Sequence, residues 1–188
     1  MLAVDTDETL AHQLQTGDKD ALSSLVMRHH NALIGYLYRM CGGNRPLAED
    51  LAQETFLRVI CSIQQYTYPR SFKAWLYAIA TNLVRDHHKR AETRYVLNDI
   101  SEDEYVQSNN TIRPEAIIES DEEVSHLLDA LMQLSEFHRA VIIMRYHEAL
   151  PLNDIATALD IPLGTVKSRL SKGLHKLRQL MQKELEHD

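Results

Sequence analysis

Glycine and proline are scarce in this chain, with six and five among 188 residues. Beside many Leu, Ala, Arg, Glu and Gln, that scarcity argues for helices and against a sandwich or barrel. Cysteine is scarcer still: Cys41 and Cys61 stand alone, and a buried reduced thiol is the expected role of each. No run approaches the roughly 18 consecutive apolar residues of a membrane helix, so direct membrane insertion is not expected. The opening "MLAVDTDETLAHQ" has acids where a signal peptide would have bases, and no long apolar run follows it. These absences point to a cytoplasmic protein. Its hydrophobic fraction of 44% is ordinary for a folded core.

Net positive charge is also lacking, since the formal balance is −7. The deficit is local. Residues 95–122 hold eight acids and one base, whereas residues 1–94 hold eleven bases and ten acids, and residues 123–188 hold eight bases and nine acids. The acidic stretch contains "SNNT" and Pro114 and shows no sustained helical stripe, so it reads as a linker with a single helical turn after the proline. A loop this long is unusual inside one compact unit. Two small helical domains, residues 1–94 and 123–188, joined by an acidic flexible linker at 95–122, are therefore expected.

The first flank carries three helical patterns. Leu22, Leu25, Val26, Leu33, Tyr36, Leu37 and Met40 fall at helical spacing between an Asp20 cap and a Gly42-Gly43 stop. "PLAEDLAQETFLRVI" places Ala48, Leu51, Ala52, Thr55, Val59 and Ile60 on one side and Asp50, Gln53, Glu54 and Leu57 on an outward one. After a break at Pro69, "FKAWLYAIATNLVRDHHKRAE" starts from a Ser71 cap and buries Phe72, Leu76, Ile79, Ala80 and Leu83. The second flank reads helix, helix, short helix, turn, longer helix. No convincing strand appears, and the fold class is all-α.

Residues 162–181, "PLGTVKSRLSKGLHKLRQLM", hold five bases and no acid. The short helix before them carries Ile155, Ala156 and Leu159. Asp160 then occupies a tight break, which needs a residue that tolerates left-handed backbone. A longer helix capped by Thr165 follows and packs through Val166 and Leu170. This is the logic of a helix-turn-helix, whose second helix enters the DNA major groove. Lys167, Ser168, Arg169, Ser171 and Lys172 lie near its start, where phosphates and base edges are reached. Complementing the helix dipole accounts for Lys176, Arg178 and Lys183, but not for the preceding short helix and turn. "GTVKS" lacks the earlier glycine of a phosphate-binding loop, which excludes an NTPase.

The ordered set resembles the bacterial sigma-70 family in its smallest form, the extracytoplasmic-function sigma factors. "AEDLAQETFLRVI" is similar to conserved region 2.2, "FKAWLYAIATNLVRDHHKR" to regions 2.3 and 2.4, and "IPLGTVKSRLSKGLHKLR" to region 4.2. The resemblance implies a factor that binds core RNA polymerase, recognises the −10 and −35 promoter elements and promotes DNA melting. Region 2.2 would dock on the clamp helices of the β′ subunit, with contacts to the β subunit as well. Asp50, Gln53, Glu54 and Leu57 match that docking face. Regions 2.3 and 2.4 imply capture of the melted −10 strand, for which aromatic faces beside a cationic track are suited. Tyr66, Tyr68, Arg70, Lys73, Trp75, Tyr77, Asn82, Arg85, Asp86, Lys89 and Arg90 are the matching residues, with Trp75 equally suited to the core. Asp86 departs in kind, since an acid near DNA must accept from a base donor such as cytosine's amino group. Thr165, Lys167, Ser168, Arg169, Ser171 and Lys172 would read the duplex −35 element. An anti-sigma factor is a further implied partner, able to hold the protein at the membrane. No cofactor or metal is implied.

Two other readings stand beside this one. A stand-alone helix-turn-helix regulator would bind DNA without polymerase, usually as a dimer, yet no dimerising heptad is evident. A metal or redox sensor would draw on Cys41, Cys61, His29-His30 and His87-His88, but no Cys-x-x-Cys or His-x-x-x-His pair occurs. No nucleophile–base motif suggests an enzyme.

Overall fold

The computed structural model describes residues 5–98 and 122–185, with side chains for 5–90 and 124–182. Among the described residues the architecture is all-α. Four helices form the first region: α1 (Asp7–Gln15), α2 (Lys19–Met40), α3 (Arg45–Ser62) and α4 (Phe72–Asn98). Four more form the second: α5 (Glu122–Met132), α6 (Glu136–Tyr146), α7 (Leu152–Leu159) and α8 (Leu163–Leu185). Most of the expected linker, and the helical turn after Pro114, lies outside the described residues. Helix α4 continues to Asn98, four residues beyond the expected boundary at 94.

Local chemistry explains the ends of the helices. Asp18, not the expected Asp20, caps α2, because its carboxylate accepts the amide of Asp20 at 2.9 Å. Asn44 caps α3 and Ser71 caps α4, as the amides of Leu47 and Ala74 donate to their side chains at 3.1 and 3.2 Å. Gly42 and Gly43 take positive φ of 64° and 83°, which ends α2 where a side chain would be strained. Thr165 is not the cap expected of it. Helix α8 begins two residues earlier, and the Pro162 carbonyl accepts the amides of Thr165 and Val166 at 2.8 and 3.1 Å. Asp160 adopts the left-handed conformation (φ 51°, ψ 51°), as the tight break requires.

Apolar periodicity sets the packing. Leu25, Leu33, Tyr36, Leu37 and Met40 of α2 meet Ala48, Leu51, Ala52, Phe56 and Val59 of α3 and Phe72, Leu76, Ala80 and Leu83 of α4. Each fully buried Leu or Phe contributes about 1.5–3 kcal/mol. Ile60 was expected inside but is 43% exposed, and Phe56 takes the inward place instead. Helix α1 buries Leu10 and Ala11 in the same core, with Leu14 packed against it, and adds polar contacts. Its Asp7 pairs with Arg28 and His29 at 2.9 and 2.7 Å, and Gln15 donates to the carbonyls of Ile63 and Tyr66.

The two regions are packed together. Ala140, Val141, Ile143, Met144, Leu150, Ile155, Leu159 and Val166 join the same apolar core as α2–α4. A second cluster, Leu131, Leu134 and Ile142 with Leu174, Leu177 and Leu180, fastens α8 to α5 and α6. Gly173 permits that approach, since a Cβ there would stand 2.9 Å from Ile142 Cδ1.

Candidate nucleic-acid and partner surfaces

Three surfaces collect the residues singled out by the sequence. On α3, Asp50 and Gln53 are exposed, Glu54 is half-exposed, and Leu57 is 52% exposed. Glu54 pairs with Arg58 at 3.0 Å along the helix. Gln53 and Leu57 line a groove of about 570 Å³ between α2 and α3, together with Val26, Ile34, Phe56 and Ile60. Asp50 and Glu54 lie beside it rather than in it. Leu57 and Ile60, 52% and 43% exposed, give the groove an apolar rim that water does not favour. Outward polarity at Gln53 and Glu54 was legible in the sequence. The groove was not, because its other wall belongs to α2.

The expected −10 set does not form one open aromatic face. Tyr66 and Tyr77 are corrections to that picture, being 4% and 0% exposed. Tyr66 packs against Phe72 and Trp75, and its hydroxyl donates to the Arg70 carbonyl. Burial pushes the Tyr66 phenol up to about 12. Tyr77 sits edge-on to Tyr36 at 4.9 Å. The Tyr36 hydroxyl bonds Thr81 Oγ1, which itself donates to the Tyr77 carbonyl. Tyr68 and Arg70 remain exposed in the loop before α4, with Tyr68 stacked on His12 at 5.0 Å. Asn82, Lys89 and Arg90 are exposed on α4, while Trp75 and Asp86 are half-buried.

Lys73, Tyr77 and Arg85 face the second region. The Tyr77 hydroxyl donates to Glu148 Oε2, and Lys73 Nζ donates to the Glu148 carbonyl at 2.6 Å. Burial, then the charge and hydrogen bond of Glu148, drive the Tyr77 phenol far above its ordinary range, so it stays a donor. Arg85 Nε donates to Glu136 Oε1 at 3.0 Å, and His88 approaches the other carboxylate oxygen at 3.5 Å. Burial opposes the charge of Glu136, but His88 and Arg85 prevail and hold its carboxyl below the usual range. Glu136, Glu148 and Phe137 are the functional neighbours that sequence reasoning missed, as an isolated loop or helix-start acid carries no signal of what it will face.

On α8, Lys167, Ser168, Ser171 and Lys172 are exposed near its start, and Thr165 is half-buried in the first turn. Arg169 differs from its neighbours. Its guanidinium carbon lies 4.7 Å from the Phe137 ring centroid, and its buried Nη1 has no hydrogen-bond partner. Val166 is fully buried against α7, which turns the lysine-serine row outward. Among the described residues, no group of three His, Cys, Asp or Glu could hold a metal ion. Cys41 is half-buried, and burial pushes its thiol up to about 12, whereas Cys61 is exposed, against expectation.

Helices of this order, with an outward basic row after a left-handed turn, have counterparts of known kind. The sigma-70 region 2 profile matches residues 25–94, and the sigma-70 region 4 profile matches residues 130–179. The ECF RNA polymerase sigma factor SigW of Bacillus subtilis is 34% identical over 173 residues, spanning 89% of this chain and 92% of that protein. This chain belongs to the sigma-70 family. It is an RNA polymerase sigma factor of the extracytoplasmic-function type, and the stand-alone regulator is not favoured. The RNA polymerase sigma-H factor of Pseudomonas aeruginosa is 28% identical, with 97% of each chain covered. The fold of this sigma factor is shared with the sigma factor RpoE solved with the anti-sigma factor NepR from Bartonella quintana. That likeness has a TM-score of 0.72 at 23% identity, over 88% of this chain and 98% of that one. CnrH, solved with the cytosolic domain of CnrY, gives 0.70 at 24% identity over 95% and 99%. The family is one of sigma factors rather than of catalysts. No helix among the described residues is long and apolar enough to cross a membrane.

Proposed function

We propose a division of labour among the three surfaces of this sigma factor. The α2–α3 groove, with Gln53 and Leu57 in it and Asp50 and Glu54 at its side, docks on the β′ clamp helices of core polymerase. The exposed Tyr68, Arg70, Asn82, Lys89 and Arg90 of the first region engage the melted −10 strand. Lys73, Tyr77 and Arg85 join them once released from the second region. The α8 row of Lys167, Ser168, Ser171 and Lys172, with Arg169, reads the −35 duplex, and the amides of the α8 start suit a phosphate. Residues 1–94 and 123–188 act as separate units during initiation, tethered by 95–122. The work is done in the cytoplasm, where an anti-sigma factor competes for the same apolar groove.

One observation carries this reading. A single chain joins an outward basic helix-turn-helix row to an exposed groove lined by Leu57 and Ile60. A DNA reader with an unsatisfied apolar face is a DNA reader that needs a protein partner. The test is a pull-down of core polymerase by the full chain and by Gln53→Ala/Leu57→Ala. The groove reading expects core binding to fall at least tenfold, with helicity and melting temperature retained. Undiminished binding by the double variant would move the docking face elsewhere.

A further inference from the structure

The loop before α4 carries its exposed side chains on a frame that α1 supplies. From Ile63 to Ser71 the backbone turns through bonds from the Tyr66 amide to the Ile63 carbonyl and from the Arg70 amide to the Thr67 carbonyl, at 3.0 and 2.9 Å. Side chains of α1 fasten the rest. Gln15 Nε2 donates to the Ile63 and Tyr66 carbonyls at 2.9 and 2.7 Å, and Gln64 returns a bond to the Gln15 carbonyl at 3.0 Å. At the far end of the loop, Glu8 Oε1 accepts the Phe72 amide at 3.3 Å. His12 lies between them and stacks on Tyr68, with 5.0 Å between centroids and 30° between planes. Glu8, His12 and Gln15 fall at three- and four-residue spacing, so they share one face of the helix.

That face is not needed to anchor α1. Asp7 already pairs with Arg28 and His29 of α2, and Leu10 and Ala11 are buried. It holds the loop instead, and the loop presents Tyr68 and Arg70, both exposed. Helix α1 carries none of the residues that resemble regions 2.2 to 2.4. We infer that it is nevertheless a working part of the −10 reader. His12 is a second contact ring, beside Tyr68, for an unpaired promoter base, and Gln15 is the positioning residue that sets both rings. The inference rests on the −10 reading of Tyr68 and Arg70 above.

A melted strand presents bases with bare faces, and a ring that must first be ordered loses part of its stacking gain to lost side-chain freedom. A tyrosine at a loop tip is such a ring. Stacked on His12, Tyr68 is held before DNA arrives, and the exposed imidazole widens the platform. The Gln15 carboxamide orients that imidazole as well. With its amide hydrogens given to two carbonyls, its Oε1 faces His12 Nδ1 at 3.3 Å, so Nδ1 carries the proton. Such support is what separates a loop that discriminates between bases from one that accepts any of them.

The experiment assembles the full chain with core polymerase and offers it a promoter pool randomised across both elements. Bound DNA is sequenced, and base enrichment is compared position by position for wild type, His12→Ala, His12→Phe, Gln15→Glu and Tyr68→Ala. Gln15→Glu keeps the size of the side chain and removes its donors. His12→Ala and Gln15→Glu should lower the preference at the −10 position that Tyr68→Ala also affects, by about tenfold, the scale of one lost base–ring stack. His12→Phe, which keeps a ring, should retain it, and −35 enrichment should be unchanged throughout. A purely structural α1 would instead lower melting temperature and occupancy on all sequences alike, with every preference intact, and that result overturns the inference. Loss of preference in Tyr68→Ala alone also overturns it while leaving the −10 reading standing. If Tyr68→Ala is silent too, the loop does not read the strand, and the inference falls with that reading. Should Gln15→Glu fail to fold, the two exposed His12 substitutions decide the matter by themselves.

Discussion

Arg139 of α6 donates to the Met40 carbonyl at 2.7 Å, joining residues 99 apart in sequence across the boundary between the two regions. The same guanidinium donates to the carbonyls of Leu131, Met132 and Leu134, so one side chain ends both α2 and α5. It is 5% exposed, and burial lowers its pKa from the ordinary arginine value. A planar five-donor fork fits this task where an ammonium does not.

Replacing Arg139 by Met should therefore cost at least about 3 kcal/mol, since the buried carbonyls of Met40, Leu131 and Leu134 lose their donor at about 1–3 kcal/mol each. Arg139→Lys should recover only part of the loss. Urea denaturation of the three proteins measures it, and equal midpoints would show that water satisfies those carbonyls.

Lys167 and Lys172 are exposed on the outer side of α8, free of the packing that engages Arg169. Each phosphate contact removed should lower the salt slope of binding by about 0.9. Lys167→Ala/Lys172→Ala should thus weaken −35 duplex binding by the polymerase holoenzyme across all sequences. Affinities measured over a range of salt concentrations decide this, and an unchanged slope would place both lysines off the backbone.

Asp160 carries the turn between α7 and α8 at φ 51°. Glycine should be tolerated there within about 0.5 kcal/mol, whereas Asp160→Val should cost about 1–2 kcal/mol, because a β-branched residue resists the left-handed region. Thermal melts give the comparison. Equal stability of Val and Gly would mean the turn relaxes to another conformation.

Acid should destabilise the fold in two steps, one within the second region at His138 and one at its contact with α4 through Glu136. His138 has a lowered pKa, through burial first and then Arg169, Lys172 and Lys176. A base with a depressed folded pKa favours folding while neutral, so stability declines as pH falls below about 6.5, the ordinary histidine value. Glu136 is likewise lowered, and its contribution, present above the ordinary carboxylate value of 4.5, is lost as pH falls through the lower folded value. Stability against pH should flatten near the upper step in His138→Gln and near the lower in Glu136→Gln. Superimposable curves for wild type and variants would show that neither group is linked to folding.

Much of this fold was legible because helical periodicity and caps are local. Leu25, Leu33, Leu37 and Met40 lie inside at the expected spacing, and Ser71 and the Gly42-Gly43 pair end helices where anticipated. Asp160 took the left-handed turn for the same reason. What was not legible depends on partners distant in sequence. The apolar stripe of α1 is short, Leu10, Ala11 and Leu14, and its polar hold on Arg28, His29, Ile63 and Tyr66 is long-range. Tyr66 and Tyr77 looked like stacking platforms until the elements that bury them were in place. Glu148 reads as a loop acid, and only the packing of α4 against the second region makes it a buried acceptor for Tyr77.

The central claim is that this sigma factor selects promoters only as part of polymerase. Single-round transcription and gel shift on a promoter library, with and without core, test it most directly. The account predicts specific binding and initiation with core alone, both abolished by Gln53→Ala/Glu54→Ala. Tight, site-selective binding by the free protein, unaltered when core is added, would contradict it.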